Sequence, residues 1–264
     1  MNAVDFNQIQ SFFWVAIPVL CVLWAVRLWR LGLAAQYPLL AAFLIGGALL
    51  HMSGVLLYHL AGAHSQLYVW FWPISQLISS TLSFLVLLQV FQRLVESYAG
   101  LRKLGQMVLY ASLGVASAIV LGSLFLDPNT DLQTLPGFWI VQERSVYFAL
   151  TAVVLALLGF AVVFHLIPPR NVLILFAVFG IFFIGQASVW ALRDFLGWNF
   201  RGSRVLISSA LYFVCLLGGT VTFSRLGESE VHSAQPGSAS GGNEGKVARR
   251  LEEINQALLN VFRI

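Results

Sequence analysis

Charge is what this chain has least of. Only 10% of its 264 residues are Asp, Glu, Lys or Arg, against about 25% in soluble domains. With 59% hydrophobic residues and a mean hydropathy of +0.83, the chain reads as a polytopic membrane protein. Lysine is nearly missing. Lys103 falls in a loop and Lys246 in the tail, so no span offers an amine for a Schiff base, and a covalent retinal photoreceptor is excluded. The two cysteines, Cys21 and Cys215, both lie inside apolar runs. They read as small buried side chains rather than a disulfide. The first ten residues, MNAVDFNQIQ, contain no Lys or Arg. A cleavable secretory signal needs a positive segment before its apolar core, so the first helix is expected to stay.

Catalytic signatures are also missing. The sequence has no HExxH, no CxxC, no GxSxG elbow and no phosphate-binding loop. A haem would need two histidines at one depth from facing helices. His51 lies mid-span and His165 at a span end, while His51 and His59 are two turns apart on one helix. No cofactor and no metal are therefore expected. Ion carriers place acids deep in the bilayer, and here Glu143 is the one acid near a span interior, at its rim. The formal charge of +4 does not point to nucleic acid, because in a membrane protein the placement of Lys and Arg matters more than their sum.

What is present is seven long apolar runs, near 9–30, 37–61, 67–93, 106–126, 141–166, 170–195 and 203–225. About 20 residues cross a hydrocarbon core, and helix is the form that pairs its backbone groups within one segment. The expected fold is all-α, a seven-helix transmembrane bundle over 1–225. Pro168-Pro169 marks the turn between spans five and six. Seven basic residues (Arg27, Arg30, Arg93, Arg102, Lys103, Arg170 and Arg225) gather on one face and four (Arg144, Arg193, Arg201 and Arg204) on the other. The bias toward the cytoplasm sets the N-terminus outside and the C-terminus inside, with the bacterial inner membrane as the expected location. Residues 226–246 are rich in Gly and Ser and read as a cytoplasmic linker. In 247–264, Val247, Leu251, Ile254, Leu258 and Val261 form one apolar seam. That seam suits a short amphipathic helix, either on the membrane surface or against a protein partner or second copy.

Polar or small stripes at helical spacing mark the faces that look inward: Gly47, His51, Gly54 and Tyr58 in span two, and Ser208, Tyr212, Cys215, Gly219 and Thr222 in span seven. Span three carries Ser75, Gln76, Ser79, Ser80 and Ser83. Two readings stand: packing between helices, or a polar cavity reached from outside. Trp70, Trp72 and Trp139 would ring its mouth, or act as ordinary interfacial anchors. In "IVQERSVYFAL" (140–150), Glu143 and Arg144 are neighbours, and neighbours on a helix point about 100° apart. Each needs a partner elsewhere. Arg193 and Asp194 end span six at a matching depth, with Gln186 two turns deeper. The expected cluster pairs Glu143 with Arg193 and Arg144 with Asp194, with His59 joining from span two. It serves as a lock between spans five and six or as part of a ligand site.

The segments "YVWFWPISQLISSTLSFLVLLQVFQRLVESYAGLRKLG" (68–105) and "ERSVYFALTAVVLALLGF" (143–160) carry a resemblance. The features are an aromatic opening to span three, an exit through Phe91, Leu94, Tyr98, Leu101, Arg102, Leu104 and Gly105, and a Glu-Arg-Ser start to span five. With these the chain resembles a group of uncharacterised bacterial seven-helix membrane proteins, common in acidobacteria. The resemblance implies the bundle and no activity. Gln89 departs from it, standing where the group's pattern has an acidic residue. The residues favour a non-enzymatic sensor or partner-binding bundle with an outward-facing polar pocket, taking a small or lipidic ligand. The alternatives are a membrane enzyme or transporter for a lipid or hydrophobic substrate, and a structural subunit of a larger membrane complex.

Overall fold

The computed structural model describes residues 3–62, 65–96, 99–126, 135–164, 166, 168–196 and 201–225. Within them the chain forms α1 (Ala3–Arg30), α2 (Pro38–Ala61), α3 (Gln66–Glu96), α4 (Ala99–Leu126), α5 (Leu135–Val163), α6 (Arg170–Leu196) and α7 (Arg201–Thr222). All seven are long and apolar enough to cross a membrane. The expected linker 226–246 and tail helix 247–264 lie outside the described residues, as do Asp127, Asp131 and His165.

Two helices run longer than the hydropathy pattern predicts. α4 starts at Ala99 rather than near 106, and α3 runs 31 residues, about 46 Å at 1.5 Å per residue. That exceeds the ~30 Å hydrocarbon core, so the polar end of α3 stands clear of it. Hydropathy registers only the apolar part of such a helix.

The helices alternate in direction and close into a ring. α1 packs between α2 and α7, α2 against α3, α4 against α5, α5 against α6, and α6 against α7, while α3 reaches α4, α5 and α6. α6 is the most enclosed, with 56% of its span buried against 17% for α4, which lies at the periphery. Phe43 of α2 meets Phe179 of α6 edge-on at 5.5 Å within the core. One end of the bundle gathers the start of α1, the α2–α3 turn and the starts of α5 and α7; it is called here the upper end. The lower end holds the α1–α2 and α5–α6 turns and the end of α7.

The lower end is closed by polar side chains bonded to backbone. α1 stops at Gly32, whose φ of 72° is left-handed. Leu33 N–H donates to the Leu28 carbonyl and Gly32 N–H to that of Trp29, both at 3.0 Å, which satisfies carbonyls that a helix end leaves open. Arg27 donates to the Phe223 carbonyl at 3.0 Å and to that of Val221 at 3.2 Å, at the end of α7. Asn171 donates to the Ser224 carbonyl at 2.8 Å and accepts from Ser224 N–H at 3.3 Å. Gln89 Oε1 accepts from Leu39 and Leu40 N–H at 3.2 Å, so a residue of α3 caps the start of α2. Its Nε2 donates to the Gln36 carbonyl at 3.2 Å. The amide thus serves as acceptor and donor at once, which a carboxylate in its place does not do. The apolar packing there is equally tight. A Cβ on Gly219 would run into the Trp24 ring, and one on Gly105 would stand 2.7 Å from Phe91.

Candidate functional site

The upper end is built differently. Glu143 and Arg144 lie one to two turns above the middle of α5 and diverge as their helical spacing requires. Arg144 Nη1 donates to Asp194 Oδ2 of α6 at 2.9 Å, half-exposed at the bundle edge. This is one of the two expected pairs. For Glu143, the described ion pair runs instead to Arg204 of α7, with Arg204 Nη1 3.9 Å from Glu143 Oε1. The guanidinium carbon of Arg193, the expected partner, stands 4.8 Å over the Trp190 ring. Arg204 approaches the same ring at 4.1 Å. Trp190 is buried, so two arginines are held against one enclosed indole, an arrangement favoured by its ring quadrupole.

The Glu143–Arg204 pair is under-bonded. At 3.9 Å it is an ion pair without a hydrogen bond. Arg204 Nε is buried and has no hydrogen-bond partner. Both facts leave polar capacity at a place where unpaired polar groups cost free energy.

Beside this pair a cleft opens between α3 and α5. Its walls are Trp72, Pro73, Gln76 and Ser80 from α3, and Trp139, Gln142, Glu143 and Val146 from α5. Residues 72, 76 and 80 recur every fourth position, and 139, 142, 143 and 146 follow the three-and-four rhythm, so each helix presents one face. Pro73 has no N–H, so the Val69 carbonyl loses its donor within α3 beside the cleft. The cleft is shallow: about 20 Å³ of it is enclosed, room for about one water, and about 300 Å³ is reached only by counting the open space at its mouth. Among the described residues, the Gln76 and Gln142 amides and the Ser80 hydroxyl make no hydrogen bond.

The remaining candidates are placed elsewhere. Gln186 is buried and bridges α6 to α7: its Nε2 donates to the Ser208 carbonyl at 3.3 Å, and Ser208 Oγ donates to its Oε1 at 2.9 Å. It is fully used in packing and does not reach the cleft. His51 stacks on Tyr212 at 6.0 Å between α2 and α7, and the Tyr212 hydroxyl sits 3.9 Å from Cys21 Sγ. His59 is not brought to the charged cluster. It is exposed at the end of α2, edge-on to Tyr58 at 5.6 Å, and the backbone neighbours of α2 are α1 and α3. Among the described residues, no three His, Cys, Asp or Glu side chains come together to hold a metal.

The sequence reading missed Arg204, Trp190 and Gln142 as members of the site. In the sequence Arg204 shows only as one of four basic residues on its face, and Trp190 is hidden in an apolar run. Gln142 had a usable signal: it precedes Glu143 and follows Trp139 by three residues, on the same face. Comparison with protein-family models, curated proteins and solved structures finds no match to this chain.

Proposed function

We propose that the protein is a non-enzymatic ligand-binding bundle of the bacterial inner membrane, with the α3–α5 cleft as its site and the upper end facing outward. The observation that carries this reading is the set of polar groups around the cleft that the protein itself leaves unbonded. Gln76, Ser80 and Gln142 have no hydrogen-bond partner among the described residues, and Glu143 and Arg204 meet only at long range. Polar groups within a membrane span are expensive unless paired and commonly mark function. The lower end pairs comparable groups with backbone, so the chain is capable of satisfying them. The outward orientation draws on the seven-to-four distribution of basic residues. In this reading the chain beyond Arg225 passes the occupied state to a partner.

An enzyme that uses a serine nucleophile would need that hydroxyl in contact with a base. Ser80 makes no hydrogen bond among the described residues, which gives that alternative no support. Native mass spectrometry of the protein released from lipid nanodiscs tests the proposal. A bound small molecule is expected on the native chain and is lost on Gln76→Leu together with Gln142→Leu. A chain that carries nothing in either form contradicts it.

A further inference from the structure

We infer that the lower end holds an anionic phospholipid, with its phosphate gripped by arginines where α1, α6 and α7 meet. This stands apart from the cleft and from its reading as a ligand site. Two sets of bonds bring these helix ends together. Arg27 of α1 donates to the Phe223 carbonyl at the end of α7, and Asn171 at the start of α6 bonds Ser224. Within three residues of these partners stand Arg30, Arg170 and Arg225, all exposed. Arg225 Nη2 lies 3.6 Å from where a Cβ on Gly32 would stand, so its guanidinium rests against the end of α1. Four arginines therefore share one corner. Arg27 is used on backbone, and the other three make no hydrogen bond or ion pair among the described residues. Among the described side chains the acids are Glu143 and Asp194, both at the upper end, so neither offsets the charge of this corner.

Three features select the occupant. The first is charge. Guanidinium groups pair with phosphate oxygens through forked hydrogen bonds. α6 begins at Arg170 and adds the positive end of its dipole. Ser224 Oγ is buried at the same corner without a partner, a further donor that lacks an acceptor. The second is depth. Trp29, exposed beside Arg30, is of the residue type that settles at headgroup level, where lipid phosphates also lie. The third is what leads away from the corner. Val19, Val22 and Val26 of α1 and Leu217 and Val221 of α7 are exposed, each set at the three-and-four spacing that makes one face. Acyl chains suit those faces, while a free phosphate would meet the arginines alone. A zwitterionic headgroup brings an ammonium that the arginines oppose. Basic pockets between spans are known to take anionic headgroups in this way.

The test uses the full chain in nanodiscs of equal parts phosphatidylglycerol and phosphatidylethanolamine, released for native mass spectrometry. Phosphatidylglycerol is expected to stay on the chain in preference to phosphatidylethanolamine. The preference should fall about fivefold for each arginine removed, the scale of one basic residue at an anionic surface, in Arg170→Gln and in Arg225→Gln. Lys103→Gln removes a basic residue at the same end but on α4, which packs against α3 and α5, and it should keep the preference. Where a glutamine variant of Arg170 or Arg225 does not fold, Arg30→Gln, on a side chain that bonds nothing, carries the same expectation. Equal retention of the two lipids by the native chain overturns the assignment. So does a preference that is unchanged in the arginine variants, or one that falls as far in Lys103→Gln, which would make it a property of overall charge. Glycerol phosphate added in excess should leave the lipid in place. Its displacement of the lipid would show that the corner reads phosphate alone, and would overturn the choice of a phospholipid.

Discussion

Gln89 and Gln76 lie on the same helix, α3, and are used in opposite ways. Gln89 is buried at the lower end, where its amide caps the start of α2 and bonds the Gln36 carbonyl. Gln76 faces the cleft between α3 and α5 and bonds nothing among the described residues. The contrast extends around each of them. At the lower end Arg27, Asn171 and Arg93 all donate to main-chain carbonyls. At the upper end Arg144, Glu143 and Arg204 meet other side chains; buried polar atoms without a partner occur at both ends, Arg204 Nε at the upper and Trp24 Nε1 and Ser224 Oγ at the lower. Side chains bonded to backbone fix helix ends in place. Side chains bonded loosely to one another keep their capacity for a ligand, at some cost in stability. The two ends thus differ in how their polar side chains are used, and the proposed ligand site rests on that difference.

The largest break in this contrast comes from crowding the lower end. Gly219→Ala puts a methyl group into the Trp24 ring, which is itself buried and edge-on to Phe223 at 6.2 Å. A loss of about 1–3 kcal/mol is expected, read as a lowered Tm in detergent; an unchanged Tm would show slack packing there. Gln89→Leu comes next. It uncaps Leu39 and Leu40 N–H, and about 1–2 kcal/mol is expected from the lost cap. Gln89→Glu should cost less, because a carboxylate still accepts from both N–H groups and favours a helix N-terminus, while Arg93 continues to donate to the Gln36 carbonyl at 3.1 Å. If Glu proves as damaging as Leu, the donor half of the amide is the part that matters. The smallest effect belongs to Arg144 and Asp194, a partly exposed pair with side-chain exposures of 21% and 45%. A double-mutant cycle with Arg144→Ala and Asp194→Ala should give a coupling under about 1 kcal/mol. A larger coupling would make the upper end a second lock.

Much of the architecture was legible because hydropathy and chain stiffness act locally. The spans and the Pro168-Pro169 turn follow from runs and periods within single helices, and the inward stripes do so in part: Tyr58 and Thr222, expected to look inward, are exposed. Gly47 and His51 do meet Tyr212, and Gly54 meets Phe71. The Arg144–Asp194 pair was legible too, since opposite charges at adjoining ends of consecutive helices share a depth. The partner of Glu143 was not. Arg193 and Arg204 lie at the same end of the bundle, and only the packing of α7 against α6 brings Arg204 within range. The role of Gln89 was equally hidden, because it acts on backbone 50 residues away in α2. The cleft faces were visible as spacings in α3 and α5, yet which two helices would face each other was not.

The most direct test of the difference between the two ends is the thermal stability of Gln76→Leu/Gln142→Leu in nanodiscs, measured without added ligand beside Gln89→Leu. Both remove glutamine amides from the bundle. With the cleft amides unbonded, the double variant should melt at or above the temperature of the native chain stripped of its bound molecule, since a retained ligand would itself raise the native Tm. A fall in Tm as large as that of Gln89→Leu would mean that the cleft glutamines hold the fold together, and would contradict the assignment of the upper end to ligand binding.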